Sequence, residues 1–536
     1  MMPAMPTAVN PILPGFHPDP SICRVGDDYY LATSTFEWWP GVRIHHSRDL
    51  VHWRLAAEPL TRRSQLDLAG IPDSGGIWAP CLSHAHGLFW LVYTPVTHLG
   101  GPFKDTPNLV VSAPSIEGPW SEPAYLNSTG FDPSLFHDDD GRSWLVTMRW
   151  DHRQGRNRFD GIVLTEFDRA ARRLVGEPVR ITGGSGLGCT EGPHLYRHDG
   201  WYWLLLAEGG TGPNHAAVMG RSRSLTGPYE FDPAGPLLTS RDAWDHPLQK
   251  AGHGSLVHTP DGWFLAHLTA RPDRPLGRCR LGRETALQRI AWPAGGWPRL
   301  AHGGVLPATE VEVGLPAHPW PALPDATDFP GPGLPPQFNS LREPPEPSWC
   351  RFGEGLELTG RCGPTGRFRQ SRIARRLVDH ACAAETDVRI DPRDHQAFAG
   401  LSAFYDLDLW WMAAVGGDET HGRVVRLSWM DDARYGEGAA IPAPGDGPVG
   451  LRFTIWNHVL RFAVRIGDGP WRPLGEGIDA GRLSDETCST GSNFTGAWAS
   501  LSAHDLSGRG TIARFPRFTY RRLTEAPERA SVIRAD

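Results

Sequence analysis

Thr190-Glu191-Gly192-Pro193-His194-Leu195-Tyr196-Arg197-His198-Asp199-Gly200-Trp201-Tyr202-Trp203-Leu204-Leu205-Leu206 sets one carboxyl group before a Gly-Pro turn, then a short apolar strand, an Asp-Gly turn and an aromatic strand. Two such runs joined by Asp-Gly read as a β-hairpin. The design recurs four more times. Asp19-Pro20-Ser21-Ile22-Cys23 precedes Asp28-Tyr29-Tyr30-Leu31, and Trp78-Ala79-Pro80-Cys81-Leu82 precedes Gly87-Leu88-Phe89-Trp90-Leu91. Asp132-Pro133-Ser134-Leu135-Phe136 precedes Gly141-Arg142-Ser143-Trp144-Leu145, and His253-Gly254-Ser255-Leu256-Val257 precedes Gly262-Trp263-Phe264-Leu265. The lead residues are Asp19, Trp78, Asp132, Glu191 and His253, about 60 residues apart each time.

A supersecondary unit repeated at a fixed period marks a repeat architecture, and antiparallel sheets repeated radially make a propeller. The expectation is an all-β chain that opens with a five-bladed β-propeller over residues 1–305. The first strand of each blade lines the axis, so the five lead residues should converge on one mouth although they are distant in sequence. From 306 to 347 proline is dense, including Pro316, Pro319, Pro321, Pro330, Pro335 and Pro336, which reads as an extended linker. Residues 348–536 then alternate in strand fashion, as in Leu451-Arg452-Phe453-Thr454-Ile455 and Leu460-Arg461-Phe462-Ala463-Val464. They are expected to form a β-sandwich of the jelly-roll, concanavalin-like kind.

The formal net charge of −7 disfavours nucleic acid, which is held by Lys and Arg through release of phosphate counterions. Eight cysteines lie without close-spaced pairs, which argues for reduced thiols and against a disulfide framework or zinc site. Met1 to Gly15 has neither the basic nor the apolar segment of a secretion signal, and no apolar run is long enough to cross a bilayer. The expectation is therefore a cytoplasmic protein with no membrane partner.

Three acidic lead residues at one mouth oppose each other's ionisation. Asp before Pro is also ordinary turn chemistry, and any one of the three alone could serve that purpose. Together, Asp19, Asp132 and Glu191 supply what glycoside hydrolysis needs. One carboxylic acid donates a proton to the leaving oxygen, and one carboxylate activates water or attacks carbon. The third can raise the proton affinity of the acid by its own negative charge.

A family resemblance rests on several of these motifs together. Asp19-Pro20-Ser21, Gly76-Ile77-Trp78-Ala79-Pro80, Phe131-Asp132-Pro133-Ser134, Trp150-Asp151-His152-Arg153, Glu191-Gly192-Pro193-His194, Ala207-Glu208-Gly209-Gly210-Thr211 and Gly282-Arg283-Glu284-Thr285 resemble the β-xylosidases of glycoside hydrolase family 43. The likeness runs from about Asn10 to Leu300 and continues into the C-terminal part, which looks like the sandwich appended to that family's xylosidase branch. It implies an inverting enzyme that releases xylose from the non-reducing end of short β-1,4-xylooligosaccharides, with α-L-arabinofuranosidase as a side activity. By the same resemblance Asp19 is the general base, Glu191 the general acid, and Asp132 the residue that tunes and orients the acid.

Arg283 resembles the arginine that contacts the sugar and the carboxylates. Phe36, Trp78, Ala79, Phe131, Trp150, Thr211 and His253 would line the substrate pocket. Blade packing is the competing reading for the aromatic residues, and a blade-closing ion pair is that for Arg283. Ser492-Asn493-Phe494-Thr495-Gly496-Ala497 resembles the loop that sends a Phe, here Phe494, to narrow the pocket and enforce exo cleavage; a sandwich-core aromatic is the alternative. Some relatives hold calcium near the counterpart of His253, but calcium prefers oxygen ligands and no metal or other cofactor is assigned. Relatives assemble as dimers or tetramers, so a homo-oligomer is expected. His17 stands where relatives commonly show Asn, and Arg375-Arg376-Leu377 lacks the usual Gln; neither change removes a catalytic group. An arabinofuranosidase as main activity and a propeller that binds sugar without cutting it stay open as alternatives. If the mechanism inverts, the carboxyl groups of Asp19 and Glu191 should lie about 6.5–9.5 Å apart.

Overall fold

The computed structural model describes residues 6–274, 277–489 and 493–527. These divide between two compact units. One falls within Met1–Leu66, Gly75–Arg271 and Arg283–Pro321, the other within Asp67–Ser74, Pro272–Gly282 and Ala322–Asp536. The chain is all-β, and the helical elements among the described residues are two short 3-10 turns, Ala480–Arg482 and Asp485–Thr487. No helix among the described residues is long and apolar enough to cross a membrane. The eight cysteines are all free thiols.

In the first unit, five antiparallel sheets follow one another in chain order, each a meander that starts from its own inner strand. The inner strands are Ser21–Val25, Gly76–Ala85, Ser134–His137, Glu191–His198 and Gln249–Thr259. Each touches the next, and the last touches the first, so they close a ring. The serine two places after a lead residue explains part of the closure. Ser21 Oγ accepts the Leu82 N–H at 3.0 Å, Ser134 Oγ donates to the Pro193 carbonyl at 2.5 Å, and Ser255 Oγ accepts the Ile22 N–H at 3.2 Å. Each bond satisfies a buried polar group across a sheet-to-sheet seam.

The N-terminal segment completes the ring on the fifth sheet. Asn10 acts as a two-sided clamp: its Nδ2 donates to the carbonyls of Leu287 and Ala308, both at 2.8 Å, and its Oδ1 accepts the Leu287 N–H at 2.8 Å. Further along, the His17 N–H donates to the Arg283 carbonyl at 2.9 Å. This pairing brings Asp19, two residues on, to the start of the first inner strand with Arg283 beside it.

The stretch 306–347, expected to be a linker, is structured from both ends. Glu310–Glu312 pairs antiparallel with Thr7–Val9 in the first unit, while Ala326–Thr327 and Phe338–Leu341 are strands of the second. The prolines fall between these short strands, where no ladder N–H is required.

The second unit is a sandwich. In one sheet Cys382–Val388 lies between Phe518–Arg522 and Val449–Trp456, and in the other Trp498–Asp505 lies between Ala397–Asp406 and Ser371–Arg376. Alternate residues of both sheets, including Ile373, Leu401, Tyr405, Leu451, Phe453, Phe462 and Leu501, fill one apolar core.

Candidate active site

The mouth of the ring is built from irregular backbone. Asp19, Asp132 and His253 all lie in the left-handed region, at φ of 55°, 53° and 24°. Non-glycine residues there are uncommon and are held only where the surroundings over-determine them. Three inner strands also begin with register shifts, between Trp78 and Cys81, between Glu191 and His194, and across Gln249, Gly252 and Gly254. Such bulges re-aim side chains at the end of a strand. Here they turn the lead residues from the sheet toward the axis.

Asp19 is 5 % exposed and accepts a hydrogen bond from the Ser34 hydroxyl at 2.7 Å. Its other oxygen lies 3.7 Å from Arg283 Nη1 and 3.7 Å from His253 Nδ1. The guanidinium supplies a counter-charge on this flank and also lies over the Phe36 ring at 5.2 Å.

Asp132 and Glu191 form the opposite flank, each 7 % exposed. The Gly192 N–H donates to Asp132 Oδ2 at 3.1 Å, which ties one carboxyl group to the backbone beside the other. Gly192 sits at φ 57°, and a Cβ there would lie 2.9 Å from His253 Nε2, so both conformation and space require glycine. Burial, then the charge of Asp19, raises the Asp132 carboxyl above its ordinary range. Burial, then Asp132 and Asp19, holds the Glu191 carboxyl well above its ordinary range. Two buried acids side by side share a proton rather than both ionising. The Gly192 N–H favours the anion on Asp132, which leaves the proton on Glu191.

An aromatic wall runs along the mouth. Phe36 lies 6.2 Å from Trp78, Trp78 meets Phe131 edge-on at 5.2 Å, and Phe131 lies 6.1 Å from Trp150. Ala79 is buried next to Trp78 within the bulge of its inner strand. Trp150 Nε1 donates to the Pro102 carbonyl at 2.8 Å, which ties the wall to the loop 97–107. That loop carries Lys104, whose ammonium lies 5.5 Å from the Trp78 ring and 4.9 Å from the Trp150 ring. Burial holds the Lys104 amine below its ordinary range, and Glu191 opposes that shift, so Lys104 stands on the Glu191 flank. Beside it opens a cavity of about 340 Å³ lined by Phe103, Lys104, Thr106, Arg149, Trp150 and His152.

His253 stands beside the Asp19 carboxyl group, with Nδ1 3.7 Å from Asp19 Oδ1. Burial lowers its imidazole, and the same cause lowers His194 and His215, each to about 3. Among the described residues no group of three His, Cys, Asp or Glu could hold a metal ion. Thr211 is half-buried in the turn after the strand Trp201–Glu208. Phe494 belongs to the second unit, where it is half-buried and its N–H donates to Ser74 Oγ at 3.0 Å. Ser492, in the same motif, lies outside the described residues.

The structure thus gathers Asp19, Asp132, Glu191, Phe36, Trp78, Ala79, Phe131, Trp150, His253 and Arg283 at one mouth. It adds Ser34 and Lys104, which the repeat could not point to because neither leads a blade. Lys104 carried one signal, since lysine occurs only twice in the sequence, at 104 and 250. Chemically, the site pairs a carboxylate that faces a cation and a hydroxyl with a carboxylic acid kept protonated, between aromatic walls that suit the C–H faces of a sugar.

Comparison with known proteins gives the same picture. The profile of the glycosyl hydrolases family 43 matches residues 8–298, and that of the β-xylosidase C-terminal concanavalin A-like domain matches residues 326–521. The chain is 46 % identical to a xylosidase/arabinosidase 43B of Humicola insolens, over 98 % of this chain and 100 % of that one. It is 41 % identical to a xylan 1,3-β-xylosidase of a Vibrio species, over 96 % of this chain and 99 % of the other. A crystal structure of a xylan β-1,4-xylosidase from Bacillus halodurans C-125 superposes with a TM-score of 0.94 at 48 % identity, covering 96 % of this chain and 100 % of that one.

Proposed function

Since the chain belongs to family 43 of the glycosyl hydrolases, we propose that it is an inverting, exo-acting β-xylosidase that releases xylose from the non-reducing ends of short β-1,4-xylooligosaccharides. The observation that carries this reading is the asymmetry of the mouth, with a carboxylate facing Arg283 on one flank and a carboxyl group held protonated on the other. Asp19 accepts a proton from water as the water oxygen forms a bond to the anomeric carbon. Glu191 gives its proton to the glycosidic oxygen as the bond from that oxygen to the anomeric carbon breaks. Asp132 keeps the proton on Glu191 by its charge, and Arg283 offers a fork of donors to sugar hydroxyls and to Asp19.

The leaving sugar departs on the side of its proton donor. Lys104, Trp150 and the cavity beside them lie on the Glu191 flank, which supports that side as the exit for the shortened oligosaccharide. The β-1,4 linkage follows the name of the Bacillus halodurans structure; the Vibrio relative is named for a 1,3 linkage, and that activity is the nearest alternative. A second reading is α-L-arabinofuranosidase as main activity; the Humicola insolens relative is named a xylosidase/arabinosidase.

An NMR time course of xylobiose with the purified protein tests the proposal. α-Xylose appearing before mutarotation is the expected result. Initial β-xylose would overturn the role of Asp19. No cleavage of xylobiose alongside cleavage of 1,3-linked xylobiose or of an α-L-arabinofuranoside would favour the corresponding alternative.

A further inference from the structure

Ala207-Glu208-Gly209-Gly210-Thr211 contains a carboxyl group that the reaction does not use. Glu208 ends the strand Trp201–Glu208 and is 0 % exposed. Both of its oxygens face a single loop. Oε1 accepts the Ser185 N–H at 2.7 Å and the Thr190 hydroxyl at 3.1 Å, and Oε2 accepts the Ser185 hydroxyl at 2.5 Å and the Leu187 N–H at 3.2 Å. Among the described residues no cation lies within ion-pair distance of it.

That loop is Gly183-Gly184-Ser185-Gly186-Leu187-Gly188-Cys189, and its glycines give it little conformational preference of its own. It is wound tightly round the carboxylate. Gly184 lies at φ 95°, where a Cβ would stand 2.3 Å from Glu208 Oε1 and 2.2 Å from Thr190 Oγ1. The Gly209 N–H adds a bond to the Gly188 carbonyl at 2.7 Å. The loop ends at Thr190, which leads directly into Glu191, and Glu191 is in register with Ala207, the neighbour of Glu208. A buried carboxylate that collects four donors can order a segment that would otherwise sample many conformations.

We propose that Glu208 is a positioning residue for proton donation: by gathering Ser185, Leu187 and Thr190 it fixes the chain entering Glu191, and with it the aim of the Glu191 carboxyl group at the glycosidic oxygen. This rests on the reading of Glu191 as the proton donor. A misplaced donor impairs only reactions whose leaving group needs a proton, so the loss must depend on the leaving group.

The test compares xylobiose with a dinitrophenyl β-xyloside, whose phenolate leaves unprotonated, in the full-length chain. Glu208→Gln keeps the shape but turns a donor toward donors. It is expected to lower kcat on xylobiose about 10²-fold, the scale of a donor displaced by an ångström, with kcat on the aryl xyloside within about threefold. Thr190→Val, which deletes one of the four donors and carries the test if Glu208→Gln does not fold, should shift kcat in the same sense by several-fold. Equal losses on both substrates, or no loss on either, would overturn the proposal. Glu191→Gln serves as the control: if it loses both substrates alike, the assignment of the proton donor fails, and the positioning role falls with it.

Discussion

The two flanks of the mouth carry the same functional group in nearly the same degree of burial, and they differ in what faces it. Asp19 meets Arg283 and the Ser34 hydroxyl, while Glu191 meets another carboxyl group, with Arg283 and Lys104 as more distant cations. Burial alone would push every carboxyl group toward its neutral form. Neighbours therefore decide which group holds a proton, and the division of labour between base and acid is written in the residues around them.

The most severe way to break this division is to remove either end of it. Glu191→Gln should lower kcat on xylobiose by about 10²–10⁴-fold, the usual contribution of a general acid. It should recover on a dinitrophenyl β-xyloside. Asp19→Asn should cost a similar factor on both substrates, because activation of water does not depend on the leaving group. Steady-state kinetics on the two substrates check the contrast, and recovery by Asp19→Asn on the activated substrate would reverse the roles.

A smaller effect sharpens the comparison through charge. Asp132→Asn removes a negative neighbour of Glu191, so the Glu191 carboxyl group should lose its proton at lower pH. The basic limb of the kcat/KM profile should move to lower pH, and activity at neutral pH should fall about tenfold for every pH unit by which the limb drops below about 7. Lys104→Met has the opposite sign. It removes a cation that favours the anion of Glu191, so the basic limb should move up, with a change of only a few-fold at neutral pH. A profile that does not move in either variant would separate the limb from Glu191.

Stability gives the smallest and least direct readout. In the folded chain the Asp132–Glu191 pair holds a proton to a pH well above the ordinary carboxyl range, against about 4 for a carboxyl group when unfolded. The folded state therefore binds the extra proton between these values, and stability falls as pH rises from the lower value through the upper one. Asp132→Asn, which removes the repulsion within the pair once that proton is lost, should melt above the wild type at pH 9 and show a smaller advantage, or none, at pH 4. Calorimetry at the two pH values checks the sign.

The lead residues were legible because a propeller turns a one-dimensional period into a ring, so that Asp19, Trp78, Asp132, Glu191 and His253 declare themselves by spacing. Arg283 and the aromatic walls were reachable through family resemblance. Lys104 and Ser34 were not, since they reach the mouth from between strands and share no period. Glu208 was visible as part of a motif, but its work depends on which donors a glycine-rich loop turns inward, and no composition reports that. The proline-dense stretch misled for a physical reason: proline excludes itself from ladder positions, yet Glu310–Glu312 and Phe338–Leu341 need only a few residues each to pair.

The scarcity of lysine has a practical side for anyone who wants to attach this enzyme to a support. Of its two lysine side chains Lys250 is buried, so amine-reactive linkers find one accessible lysine, Lys104, at the doorway of the site. Coupling chemistry that spares lysine-rich enzymes would here plug the entrance, and saturating xylose during the reaction would be the simplest shield.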